Sequence, residues 1–266
     1  MSGVEIFGYF GAILIGLTLG LFGGGGSILT VPILVYLMGL NPLIATAYSL
    51  FVVGVTSFVG SVKNITKNKV NIGMSFMFGI PAMIATFFTR AYLVSLLPDT
   101  VIGTSSFSMS KEGAIMILFA VVMILAAGLM IFKSPGVKEE DPEGKCKCHI
   151  LVMQGVAVGF ISGLVGAGGG FLIVPALVFV AKVPMKKAVA TSLLIITMSS
   201  LIGFTGDVIQ IEVDWYFLLT FSALSIIGIF VGTRLQAFIN PKQLKKTFGV
   251  FILLMGAVII LKELIL

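Results

Sequence analysis

Between Ile6 and Val62 the chain carries no Asp, Glu, Lys or Arg, and a second such gap runs from Ile150 to Ala181. A soluble domain cannot keep runs of that length away from its surface, whereas about 20 apolar residues suffice to cross a bilayer as a helix. Shorter uncharged runs at 70–89, 113–132, 188–206, 215–233 and 247–261 repeat the signature along the sequence. Charged residues make up 11% of the chain, against about 25% in soluble domains. The chain reads as an all-α polytopic membrane protein. An ordinary soluble enzyme, a disordered chain and a disulfide-stapled secreted module are excluded.

The two long gaps are copies of one another. Residues 20–60 align with 163–203 at a constant offset of 143, with 16 identities in 41 positions. Apolar bias alone would give about 10% identity. The first copy reads GLFGGGGSILTVPILVYLMG and the second GLVGAGGGFLIVPALVFVAK. Downstream, Thr89-Arg90 matches Thr233-Arg234 with a one-residue shift. The chain divides into a first transmembrane repeat (1–132), a hydrophilic cytoplasmic linker (133–149) and a second repeat (150–266).

Each half holds four apolar segments: 4–38, 42–63, 70–97 and 112–132, then 150–182, 186–206, 213–235 and 243–264. The leading one is interrupted by glycines, Gly23–Gly26 in one half and Gly166–Gly170 in the other. Glycine runs break helices, because they lose most backbone entropy on ordering. The remainders, 28–38 and 171–182, span about 16–18 Å as helix, little over half of the hydrocarbon core. Each half is therefore expected to contain a glycine-broken helix hairpin followed by three spanning helices. Lys63, Lys67 and Lys69 mark one loop as cytoplasmic, whereas its repeat-mate carries Asp207, Glu212 and Asp214. The bases at 182–187 and 234–246 again suit the cytoplasm. These sides agree if each hairpin returns to its own face and the halves are inverted; a parallel duplication is the rival.

Irregular backbone is tolerated in a membrane only where protein buries it or it lines a cavity. A break followed by a short helix turns free N–H groups and the positive end of the helix dipole inward, which suits an anion. Paired interrupted segments at matching positions of two halves point to a transporter's binding site; close helix packing is the competing use of glycine. Gly23, Gly25, Gly26, Gly166, Gly168 and Gly169 are the candidates, with Pro32 and Pro175 six residues after the last matched glycine as structural elements. Small polar residues follow each return helix, in Ala45-Thr46-Ala47-Tyr48-Ser49 and Ala188-Val189-Ala190-Thr191-Ser192. Hydroxyls donate to an oxyanion without adding a charge that traps it, so Ser49, Thr191 and Ser192 join the candidate site. Thr56, Ser57, Thr197, Ser199 and Ser200 stand behind them.

The doubled pattern G-L-x-G-x-G-G-x-x-x-x-V-P, followed by A-x-A-[TY]-S, resembles the sulfite exporter TauE/SafE family of membrane permeases. The resemblance implies a multi-pass protein of a bacterial inner membrane that moves small sulfur-containing anions such as sulfite, sulfoacetate or related organosulfonates. It implies the same glycines, prolines and hydroxyls as the site. Tyr48 stands where the second copy has Thr191, so the two sides of that site are chemically unequal.

Arg90 and Arg234 end apolar runs, where long side chains snorkel to the headgroups, and both read as anchors. Trp215 and Tyr216 open a span and read as interface residues. No acid lies deep in a span; Asp207 is the least unsuitable proton carrier. Cys146, Cys148 and His149 fall short of a four-ligand zinc site and read as solvated linker, so no metal or cofactor is expected. The spans hold no His, Cys or paired acids, and no phosphate-binding Walker motif occurs. A membrane-embedded enzyme is disfavoured; a passive anion channel of the same architecture is the alternative to a carrier. The expected partners are a small anionic substrate and the lipid bilayer, with homo-oligomerisation left open. Nucleic acid is excluded, since the net charge of +6 sits mostly in short loops.

Overall fold

The computed structural model describes residues 3–96, 100–104, 107–132, 148–208 and 211–265. Helix α1 (Gly3–Phe22) leads into α2 (Gly25–Pro32), which continues through a π-helical turn, Ile33–Leu37. Next come α3 (Pro42–Ile65) and α4 (Ile72–Phe88), the latter running on through a second π-turn, Thr89–Leu93, into the short α5 (Val94–Leu96). An antiparallel hairpin, β1 (Thr100–Thr104) and β2 (Phe107–Ser110), precedes α6 (Lys111–Phe132). The second half contains α7 (Cys148–Val165), α8 (Gly170–Phe179), α9 (Met185–Val208), α10 (Trp215–Phe238) and α11 (Pro241–Ile265).

Among the described residues six helices are long and apolar enough to cross a bilayer: α3, α4 with its π-turn, α6, α9, α10 and α11. The four shorter apolar helices are the two members of each broken hairpin. The protein is thus a multi-pass integral membrane protein. Large apolar side chains such as Phe7, Phe58, Phe88, Leu125, Tyr216 and Phe238 stand exposed, as a lipid-facing surface requires. Two departures from the sequence reading are local. The connection before α6 contains a short β-hairpin that an all-α reading leaves out, and α7 begins at Cys148, so Cys148 and His149 belong to the helix. Cys146 lies outside the described residues.

Helix α2 turns back along α1. Gly26 packs on the Ile15 carbonyl and Leu19, Gly11 meets Ile33, and Gly8 meets Met38. The first hairpin therefore returns to the end from which it entered.

Packing between the halves follows a two-fold exchange. Helices α1 and α10 run parallel through Gly16 and Gly20 against Gly228 and Gly232, a small-residue interface of the kind lipid favours. Helices α7 and α4 do the same through Gly155, Gly159 and Gly163 against Phe78, Ala82 and Thr86. At the centre, α3 and α9 cross with Gly54 on Leu201 and Gly60 on Leu193. Helices α6 and α11 pair Gly249 with Met130 and Gly256 with Met123. In both pairs one helix ascends in number as the other descends, so the two helices of each pair run antiparallel.

The same exchange appears in single hydrogen bonds. The Asp214 N–H donates to Tyr48 Oη at 2.8 Å, and the Asn71 N–H donates to Thr191 Oγ1 at 3.2 Å. Asp214 and Asn71 are repeat equivalents, and each caps the helix it precedes: Asp214 accepts from Phe217 N and Asn71 from Met74 N.

Candidate functional site

The two glycine breaks meet in the middle of the bundle. Gly24 lies so close to the backbone of Gly170 that a methyl group on either would overlap the other strand. Gly168 faces Ser200 and Val53, near the centres of α9 and α3. Gly23 sits against Ser192 and the Val189 backbone, and its equivalent Gly166 sits against Thr46 and Arg90. Gly23 and Gly166 have φ of +75° and +70°, a region open mainly to glycine. All of these residues are buried.

The breaks differ in length. In the first half Gly25 and Gly26 already belong to the opening turn of α2 and pack on α1. In the second half Gly168 and Gly169 remain in the break with positive φ, and α8 starts only at Gly170. Neither α2 nor α8 has a side-chain cap hydrogen bond at its start. Their opening N–H groups therefore look for an acceptor beside the point where the breaks touch. Pro32 and Pro175 lie inside the return helices, and Pro32 directly precedes the π-turn.

The hydroxyls divide into two kinds. Ser192 donates to Val189 O at 2.9 Å, and Thr197 to Leu193 O at 2.8 Å. Ser27 donates to Gly24 O at 2.7 Å. These spend their proton on their own helix. Ser49, Thr56, Ser57, Ser162 and Ser200 are buried without a hydrogen-bond partner. Of these, Ser200 faces Gly168 and Ser162 faces Gly169. Ser162 was not readable from the sequence, because its equivalent in the first half is Leu19 and the repeat comparison passes over it. Thr191 stands apart from the breaks, where its hydroxyl holds the start of α4 through Asn71.

The reading of Arg90 as a headgroup anchor is overturned. Its side chain is 2% exposed, with Nε 3.5 Å from Asp207 Oδ2. Nε, Nη2 and Asp207 Oδ2 all lack a hydrogen bond of good geometry, and Nη2 lies against Gly166. The π-turn Thr89–Leu93 and the approach of α9 through Gly206 bring it inward. Such turns often mark functional positions. Arg234, by contrast, is exposed, as an anchor is expected to be. Among the described residues no group of His, Cys, Asp and Glu could hold a metal ion.

Comparison with known proteins agrees with this architecture. The chain is 28% identical over 252 residues to a probable membrane transporter protein of Xylella fastidiosa, covering 93% of this chain and 91% of that one. It is 29% identical over 265 residues to the probable membrane transporter protein YunE of Bacillus subtilis, covering 91% and 89%. A probable membrane transporter protein of Methanocaldococcus jannaschii, MJ0441, is 26% identical over 262 residues, covering 93% and 92%. The family model for the sulfite exporter TauE/SafE matches residues 9–259. With nearly its whole length inside that match, the chain belongs to the sulfite exporter TauE/SafE family of membrane transporters.

Proposed function

We propose that this transporter is a secondary permease for a small sulfur-containing anion, sulfite or an organosulfonate such as sulfoacetate. The anion binds where the two breaks meet, and two inverted halves rock to expose it on each side in turn. The observation that carries this reading is the contact of Gly24 with Gly170, beside two helix starts that lack side-chain caps. Two positive helix ends aimed at one buried place create a potential that a single negative charge satisfies. Ser200 and Ser162 supply neutral donors there, which hold an oxyanion without trapping it. Rocking is supported by the opposed directions of α3 and α9 and of α6 and α11, since such pairs slide past one another symmetrically. The binding groups carry out no bond-making step, so the anion leaves as it entered.

The test uses purified protein in liposomes loaded with radiolabelled sulfite, sulfate, thiosulfate, sulfoacetate or chloride. Saturable flux of a sulfur anion with counter-transport is expected, and Gly168→Val abolishes it in protein that still reaches the membrane. Flux that does not saturate indicates a channel. Flux of none of the sulfur anions through folded protein overturns the substrate assignment.

A further inference from the structure

Arg90 and Asp207 have repeat equivalents, Arg234 and Asn64, at offsets of 144 and 143. The same two positions therefore occur once toward each face, and the two copies are in different states. Arg90 and Asp207 are buried against each other. Arg234 is exposed in a cleft of about 350 Å³ that it shares with Lys63, Lys67, Lys69, Asn64 and Thr233. Lys63 Nζ donates to Thr233 Oγ1 at 2.9 Å and lies 4.8 Å from the centre of the Phe230 ring, which fixes its ammonium at the cleft wall.

The residues that line the cleft include four cations and no carboxylate. Lysines in a cytoplasmic loop need no further explanation than orientation in the membrane. That rule counts charges, however. It gives no reason for four of them to converge on one concavity, nor for that concavity to be the repeat equivalent of a buried ion pair. Convergent cations without a counter-ion repel one another, and an oxyanion with two or three oxygens relieves the repulsion while accepting from several of them at once.

We propose that this cleft binds a small oxyanion as the cytoplasmic port of the transport path, and that Arg90 with Asp207 is the same port shut on the opposite face. The inference rests on the carrier reading above. In the alternate state Arg90 is released from Asp207 and Arg234 closes over Asn64. An amide holds a guanidinium less tightly than a carboxylate does, so the resting protein favours the state seen here, with the lysine-lined port open. Asp207 thereby sets the bias of the conformational equilibrium.

The experiment uses the full chain with Cys146→Ser, Cys148→Ser and Ala237→Cys, since Ala237 lines the cleft. Labelling by a membrane-impermeant maleimide is followed in nanodiscs of phosphatidylcholine. Sulfate and sulfoacetate serve as probes, because sulfite itself consumes maleimide, and chloride at equal ionic strength is the control. The oxyanions are expected to slow labelling about fivefold or more. Arg234→Gln removes that protection, and Lys242→Gln, a cation on the same face that does not line the cleft, keeps it. Protection by neither oxyanion, or protection that persists in Arg234→Gln, overturns the port. Protection by phosphatidylglycerol in the nanodisc, with none from the free oxyanions, makes the cleft a lipid headgroup site and overturns it equally.

The closed port is tested with the same label. Asp207→Asn shifts the protein away from the cleft-open state and slows Ala237→Cys labelling without any anion. The exchange Arg90→Asp with Asp207→Arg rebuilds the pair and restores the rate. Unchanged labelling in Asp207→Asn that elutes as folded protein overturns the assignment. Absence of flux alongside intact oxyanion protection defeats the carrier reading and leaves the anion site standing.

Discussion

Gly24 and Gly170, 146 positions apart in the chain, are in backbone contact where the two broken hairpins meet. No side chain separates the two halves at that point. The contact depends on glycine in both hairpins, and a change in either is felt by the other.

Gly24→Ala sets a methyl group into the Gly170 carbonyl, and backbone cannot step aside as a side-chain tip can. Overpacking of this kind costs about 1–3 kcal/mol, read as a lowered midpoint of thermal unfolding in detergent. Gly128 in α6 provides the contrast, because nothing lies within 4 Å of a Cβ built there. Gly128→Ala is expected to be neutral or to stabilise by about 0.5–1 kcal/mol through helix propensity. Equal midpoints for the two variants would show that the breaks do not pack as described.

Ser162 and Ser200 invite the opposite experiment. Each hydroxyl is buried beside a glycine of the second break without a hydrogen-bond partner. Deleting such a group removes a desolvation penalty, so Ser162→Ala and Ser200→Ala are expected to unfold no earlier than the parent. Transport is expected to fall all the same, because the proposed site loses a donor, with KM raised about tenfold by each substitution, the worth of one hydrogen bond to a charged group. Unaltered KM for sulfur anions in both variants excludes these hydroxyls from the site.

Much of this architecture was legible in the chain because a bilayer leaves few solutions. Uncharged runs give the spans, and the duplicated motif with its glycines gives the broken hairpins. The position of Arg90 was not legible. On sequence it ends an apolar run, where snorkelling is the ordinary outcome, and only the approach of α9 reveals Asp207 as its partner. Gly25 and Gly26 show a second limit. Their equivalents Gly168 and Gly169 keep positive φ, yet Gly25 and Gly26 enter the first turn of α2. Aligned glycines thus share a place in the motif without sharing a conformation. Ser162 marks a third, since a residue present in one half alone leaves no trace in a comparison of repeats.

Tyr48 and Thr191 are unlike residues in equivalent positions, and each accepts a hydrogen bond from the residue that caps a helix of the other half, Asp214 before α10 and Asn71 before α4. Tyr48→Phe frees the Asp214 N–H and Thr191→Val frees the Asn71 N–H. Both are expected to cost about 1 kcal/mol, with similar falls in the unfolding midpoint despite the difference in side-chain size. Thr191→Ser keeps the acceptor and is expected to match the parent. If Thr191→Val matches the parent while Thr191→Ser destabilises, the methyl group rather than the hydroxyl holds α4.

The Arg90–Asp207 pair allows a thermodynamic cycle. Arg90→Gln leaves the Asp207 carboxylate buried without its partner, a loss that costs about 3–5 kcal/mol in buried pairs. Asp207→Asn strands the guanidinium in the same way. In the double variant neither charge remains, so the penalties do not add, and its unfolding midpoint is expected above that of either single variant. Folding and function then separate. The double variant is expected to recover stability but not transport, because the ion pair proposed as the closed port, with its guanidinium against Gly166, is gone. Additive losses would mean that Arg90 and Asp207 act independently, and normal flux in the double variant would mean that the pair only braces α4 against α9.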